Sequence, residues 1–374
     1  MAWSSPGAIA RKPPVMAPAG GVCSLQSMCC PWSFLLIFTK ICPTAFGPQP
    51  GKKQLSMQLV SPKLFPSKFR YYLMRRLITL ISFLFTTAAG AFAQAGQPVI
   101  AFTSDTQEPM WVEKLLLKSD HNQKATEMIF KDVQALHPAG LFILGDVVSL
   151  GYKTKKWTRI DSYLKQCTTD CIPVYATLGN HEVMFNAGRG TKNFQARFPM
   201  YDPAGYLEVI DSVAVVLLNS NFAKMTAAQI LAQDNWYTST IKKLDADGAI
   251  KMVIVGCHHS PYTNSKIVKP SMEVRQNFLP AFINSKKCVL FLSGHSHNFE
   301  HFNIQGKTFM VIGGGGGLHQ PLYANAVTPD LSAAYKPAFH YLGVRRTGDA
   351  LQLTSRRLKP DFSGFADGAV FEVR

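Results

Sequence analysis

Five short polar clusters, each directly behind an apolar run, carry the side chains able to do chemistry. Ser104-Asp105-Thr106-Gln107 follows Val99–Phe102, and Gly145-Asp146 follows Leu141–Leu144. Gly179-Asn180-His181-Glu182 follows Val174–Leu178, and Cys257-His258-His259-Ser260-Pro261 follows Met252–Val255. Ser293-Gly294-His295-Ser296-His297 follows Val289–Leu292. Carboxylate, amide and imidazole donors suit Zn, Mn or Fe, and no thiolate is needed. A carboxylate has two oxygens and can bridge two cations; Asp146 is the candidate. Two cations about 3.5–4 Å apart clamp the attacking and leaving oxygens of a phosphoryl displacement and acidify water. Glycine before the ligands, at Gly145, Gly179 and Gly294, allows tight turns and close backbone approach. His295 and His297, one residue apart, project the same way from an extended chain. A lone G-D or G-N-H reads as a turn; five clusters in this order, each at a strand end, read as one site.

The elements that must position these clusters alternate. Continuous apolar runs at Val99–Phe102, Leu141–Leu144, Val174–Thr177, Val213–Leu218, Lys251–Val255, Cys288–Leu292 and Thr308–Ile312 predict strands covered on both faces. Between them, helices are predicted over about 122–136, 154–166 and 227–245, the last capped by Thr226. This is the pattern of an α/β domain with much parallel sheet, in which ligands bind beyond the carboxyl ends of strands. Tyr341–Arg346 and Ala350–Arg357 alternate around Thr347-Gly348-Asp349, a hairpin expected to complete a sheet edge. The Gly313–Gly317 tract lacks a following G-K-[ST] and reads as a permissive loop at a strand end.

The ordered set D-x-(H), G-D, G-N-H-E, H-x-P and G-H-x-H, from about Val99 to Gly317, resembles the calcineurin-like metallophosphoesterase superfamily. Within it the sequence is similar to purple-acid-phosphatase-like and tartrate-resistant-acid-phosphatase-like enzymes. The resemblance implies a four-layer α/β/β/α sandwich of two mixed β-sheets. It also implies hydrolysis of phosphate esters, phosphomonoesters first, by a hydroxide held at a dinuclear centre of Fe, Zn or Mn. Asp105 and His297 would hold the first metal, with Gln107 beside them, and Asp146 would bridge. Asn180, His295 and a histidine of the Cys257–Pro261 segment would hold the second; the H-x-P spacing selects His259, with His258 as the fallback. His181 would not ligate but would contact the phosphoryl group or protonate the leaving oxygen. Glu182 and Glu300 are expected either to orient ligand imidazoles or to be plain exposed glutamates.

Two departures qualify the resemblance. The family usually has His where Gln107 stands, and an amide carbonyl is a harder, weaker ligand than imidazole. Purple enzymes carry Tyr three residues after the bridging Asp; here Ser149 stands there and Tyr152 is off register, so no tyrosinate-to-iron colour is expected. The alternatives are a phosphodiesterase or nucleotide hydrolase on the same centre, and a catalytically weak metal- or phosphate-binding protein should Gln107 mark a degraded site. Asn186, Arg189 and Lys192 either touch substrate or belong to a solvated loop, the second being the plainer reading.

The first quarter of the chain reads differently. Residues 1–93 contain ten Lys and Arg and no Asp or Glu. Met74-Arg75-Arg76, the apolar Leu77–Phe85 and Ala91-Phe92-Ala93 follow the order of a cleaved secretory signal over 74–93. The expected product is a secreted or periplasmic single domain over 94–374 without a stable membrane anchor, and residues 1–73 read as a non-native or disordered extension. Removing those ten cations from the formal charge of +16 leaves +6 over 94–374. That balance suits a small phosphorylated substrate and gives no sign of a dedicated nucleic-acid groove. Of the four cysteines beyond the signal, Cys167 and Cys171 are expected to bridge in an oxidising compartment, and Cys257 and Cys288 to pack as small buried residues.

Overall fold

The apolar runs fold as strands whose side chains alternate between two covered faces. In a computed structural model of the chain, residues 97–115, 117–118, 121–324, 328–332 and 337–374 are described. The signal over 74–93, the 1–73 extension and Cys23, Cys29, Cys30 and Cys42 lie outside the described residues. One sheet has strands β1 (Ile100–Thr103), β2 (Gly140–Ile143), β3 (Val174–Ala176), β10 (His340–Thr347), β11 (Ala350–Leu358) and β12 (Phe365–Val373), in the order β12-β11-β10-β1-β2-β3. The other has β4 (Tyr206–Ile210), β5 (Val213–Leu217), β6 (Met252–Gly256), β7 (Cys288–Ser293), β8 (Phe299–Ile304) and β9 (Lys307–Ile312), in the order β4-β5-β6-β7-β9-β8. Both are mixed: β1, β2 and β3 run parallel, as do β5, β6, β7 and β9, while their flanking strands are antiparallel.

Alternation along the second sheet shows the layering. Val213, Val215, Leu217, Met252, Ile254, Leu290 and Leu292 join a core with residues of the first sheet, such as Phe102 and Ile143. Their neighbours Ala214, Val216, Val253, Val255 and Phe291 face a second core that contains Tyr237, Ile241, Phe278 and Phe282. Those partners come from α5 (Ala227–Ala246), α6 (Met272–Asn277), α7 (Leu279–Asn284) and the α6–α7 junction. On the first sheet, α1 (Asn122–Leu136) contributes Ile129 and Val133, and α2 (Thr154–Thr169) contributes Trp157 and Ile160. The result is the α/β/β/α sandwich, and strands covered on both faces explain why they read as unbroken apolar runs.

Local chemistry fixes the ends. Thr226 caps α5: its Oγ1 accepts the Gln229 N–H at 3.2 Å while Gln229 Oε1 accepts the Thr226 N–H at 2.8 Å, a reciprocal capping box. The C-terminal hairpin is present as β10–β11, but it does not form the edge. β10 pairs with β1 and β12 lies outside β11, so a third strand closes the sheet.

The expected Cys167–Cys171 bridge is not formed. Cys167 sits on the buried face of α2 as a free thiol, whereas Cys171 lies past the helix end, exposed, with φ of 55°. Cys257 and Cys288 are buried in the second core as expected. Among the described residues, no helix is long and apolar enough to cross a membrane.

Candidate metal centre

The carboxyl ends of the parallel strands in both sheets meet at one place. β1 delivers Asp105 and Gln107, β2 delivers Asp146, and β3 runs into the short helix α3 (Asn180–Val183) with Asn180 and His181. From the second sheet, β6 delivers His258 and His259, and β7 delivers His295 and His297. Donor atoms of Asp105, Asp146 and His258 lie within 4.8 Å of one another, as do those of His258, His259 and His295. Asp146 Oδ2 is 3.2 Å from His258 Nε2, Asn180 Oδ1 is 3.0 Å from the same nitrogen, and Asp105 Oδ1 is 3.4 Å from His297 Nε2. The choice between His258 and His259 therefore does not arise in the form the spacing suggested. Both offer a nitrogen here, and His258 is the one against the carboxylates.

Backbone conformation aims the donors. Asp105, Asp146 and His295 adopt φ of 59°, 49° and 66°, left-handed values that cost a non-glycine residue on the order of 1 kcal/mol or more each. Cross-loop hydrogen bonds hold them there. The His295 N–H donates to Asp105 Oδ2 at 3.0 Å, the His181 N–H to Asp146 Oδ1 at 2.8 Å, and the Gln107 N–H to the Asp146 carbonyl at 3.0 Å. Gly179 and Gly294 are required by close approach: a Cβ on Gly179 would meet Asp146 Oδ1 at 2.1 Å, and one on Gly294 would meet Ser104 Oγ at 1.9 Å. The Gly313–Gly317 tract is tightly packed rather than merely permissive. A Cβ at Gly313 would lie 2.9 Å from Asp105 Oδ2, and one at Gly317 would lie 2.5 Å from the His297 ring.

The imidazoles are oriented by carbonyl oxygens, which can only accept. Nδ1 of His258, His297 and His181 lies 2.9, 2.8 and 2.9 Å from the carbonyls of Leu144, Leu318 and Ser149. Each Nδ1 thus carries the proton, and a neutral ring keeps its lone pair on Nε2, facing the cluster. His259 Nδ1 lies 2.9 Å from Ser220 Oγ, which also accepts the His259 N–H. Gln107 meets His297 Nε2 at 3.3 Å. Its amide is satisfied when the nitrogen donates to the Asp105 carbonyl at 3.0 Å and the Asp146 carbonyl at 2.9 Å, which turns the amide oxygen toward His297 and the metal-ligand donors.

The electrostatics are those of a cluster in need of positive charge. Burial opposes ionisation of Asp146, but the adjacent His258 and His181 outweigh it and hold the carboxyl well below the usual carboxylate range. Burial also disfavours charge on His258, yet the Asp146 carboxylate raises it to about 9. Burial and then the neighbouring His258 drive His259 down to about 3, and burial with His259 and His258 drives His295 well below its ordinary value. Without a cation, a proton on His258 must therefore separate Asp146 from Asn180 Oδ1. A cation would take that proton's place, with neutral nitrogens at His259 and His295 ready as ligands. The donor set of carboxylate and amide oxygens with imidazole nitrogens fits Zn, Mn or Fe. The nearby thiol, Cys257, is engaged with the His259 carbonyl at 3.3 Å.

Other expected residues fall in different places. Glu182 and Glu300 are buried, not exposed, and neither orients an imidazole. Glu182 accepts the N–H groups of Asp146, Val148 and Gly179 at 2.9, 3.1 and 2.8 Å, tying the second and third strand-end loops together. Glu300 accepts from Thr263 Oγ1 and the Asn264 N–H, each at 2.6 Å, and from Ser296 Oγ at 3.2 Å. Ser149 is buried beside His181, and Tyr152 packs edge-on against Phe185 at 6.3 Å, so no phenol takes the Ser149 position. Asn186 caps helix α4 (Ala187–Gln195) by accepting the Arg189 N–H, and Arg189 is exposed on that helix. Ser220 was not among the expected residues, although Asn219-Ser220-Asn221 behind β5 carries the same strand-end signature as the other clusters.

The model of the calcineurin-like phosphoesterase family matches residues 98–299. Among solved structures, a purple acid phosphatase from yellow lupin (Lupinus luteus) seeds is similar with a TM-score of 0.54 and 14% identity, over 75% of this chain and 54% of that one. The chain thus spans about half the length of that enzyme. A dimetal phosphatase from Danio rerio gives a TM-score of 0.47 at 11% identity, over 72% of this chain and 98% of that one. At 14% identity the likeness to the yellow lupin enzyme is one of fold. No curated protein matches the chain.

Proposed function

The chain belongs to the calcineurin-like phosphoesterase family, and on that premise we propose that it hydrolyses phosphate monoesters at a centre of two metal ions. The observation that carries this reading is the sharing of His258 by two donor groups, one with Asp105 and Asp146 and one with His259 and His295. In this reading Asp105, Gln107 and His297 would hold one cation, Asn180, His258, His259 and His295 would hold the other, and Asp146 would serve both. When bound, such a pair supplies Lewis acidity that neutralises phosphoryl oxygens and acidifies water.

The chain's own residues do the rest. In hydrolysis the water oxygen gives up a proton to solvent and forms a bond to phosphorus, the ester P–O bond breaks, and the leaving oxygen takes a proton. His181 supplies that proton from Nε2: its Nδ1 is fixed on the Ser149 carbonyl, and Nε2 lies 3.7 Å from Asp146 Oδ2. Burial lowers the proton affinity of His181, but the Asp146 carboxylate, the Ser149 carbonyl and the Glu113 and Glu182 carboxylates together raise it above its ordinary value. Glu182 and the glycine contacts keep the loops from shifting as charge develops. Export is part of the proposal and rests on the Met74–Ala93 pattern.

Turnover of para-nitrophenyl phosphate and its bis-ester by protein loaded with Mn, Zn or Fe tests the reading. Hydrolysis is expected on the monoester and slower on the diester. Preference for the diester would reassign the substrate class, and no turnover of either would leave a binding protein in which Gln107 has weakened the site.

A further inference from the structure

A cavity of about 560 Å³ opens directly off the candidate metal centre, sharing Asn180, His259 and Ser220 with it. That volume exceeds what a phosphoryl group fills and falls in the range of sites for small organic ligands. Its walls include Val183, Met184, Phe185 and Phe222, and its rim carries the exposed Lys224 and Glu273. Phe222 is braced from behind by Phe278, at 5.3 Å between ring centres. Phe185 is unusual twice over: it is 78% exposed, and its φ of 61° places a bulky residue in left-handed backbone. Neither its conformation nor its burial favours phenylalanine at this position.

We propose that this cavity is the leaving-group site and takes phosphate monoesters whose leaving group carries a planar aromatic ring. The ring stacks on Phe185 and Phe222, and its polar edge meets Lys224 and Glu273. The proposal rests on the hydrolase reading above. Stacking on an aromatic side chain tolerates any flat ring, so nucleobases and phenols share the chemistry.

The test compares adenosine 5′-monophosphate and O-phosphotyrosine with glycerol 1-phosphate, using the full metal-loaded protein. The nucleotide and the glycerol ester both release alkoxides, so the ratio of their kcat/KM values reads the cavity rather than the leaving-group chemistry. At least one ring-bearing ester is expected to lose about tenfold against glycerol phosphate in Phe185→Asn, through KM. The ester that loses identifies the source, nucleotide or phenol. Asn tolerates left-handed backbone, so the variant's melting temperature holds or rises, which a merely structural role for Phe185 would not allow. Phe222→Leu should move the same ratio in the same direction. Turnover with a ratio that neither variant moves overturns this inference and leaves the hydrolase reading standing. Absence of turnover on all three esters overturns both.

Discussion

Replacing Asp146 by Asn is expected to lower kcat on para-nitrophenyl phosphate by at least about a thousandfold, with the fold intact. The substitution keeps the shape and removes one charge beside His258, the residue that both donor groups share. Asp146 Oδ1 accepts the His181 N–H at 2.8 Å, and Oδ2 faces His258 Nε2 at 3.2 Å. An amide can still occupy the first position but cannot present two anionic oxygens to two cations. Removal of a single preorganised electrostatic contact elsewhere costs about a hundred- to a thousandfold, and Asp146 also sets the proton affinity of His181 and His258. Activity of the variant within tenfold of the parent would place the chemistry elsewhere.

The second large effect is thermal. Two buried carboxylates and four buried or nearly buried imidazoles are an unfavourable assembly without a cation, since each charge loses its hydration. A ligand that binds the folded state a thousandfold above its dissociation constant stabilises by about 4 kcal/mol. For a domain of this size that shifts the melting temperature by on the order of 10 °C. Chelator treatment should therefore lower the melting temperature by that amount, and Zn or Mn should restore it. In Asp146→Asn the restoration should largely disappear. A parent protein that melts at the same temperature with and without chelator would contradict the fit of these residues to a metal centre.

The parts of this structure that were legible in the sequence share a physical cause. β1, β2, β5, β6, β7 and β9 are covered on both faces over most of their length, so burial selects apolar residues away from their ends and the strand appears as a nearly unbroken run. The strands that escaped notice lack that constraint. β4 exposes Val209, β8 interleaves Glu300, His301 and Asn303 with its apolar residues, and β12 is largely exposed and contains Gly368. The donors themselves were legible because they follow the covered strands directly. Their supports were not. The partners of Glu182 are three backbone N–H groups, and the imidazoles are turned by the carbonyls of Leu144, Leu318 and Ser149; no side-chain type announces either. The H-x-P spacing that the resemblance implies selected His259 over His258, whereas the backbone brings both rings to the cluster, 5.0 Å apart.

Elemental analysis of the purified protein, refolded or dialysed against Zn or Mn and freed of loosely held ions, bears most directly on the claim that these donor groups hold two metal ions with Asp146 serving both. About two equivalents per chain are expected in the parent, and fewer in Asp146→Asn. A parent that retains no metal, or an Asp146→Asn variant that retains as much as the parent, would contradict it.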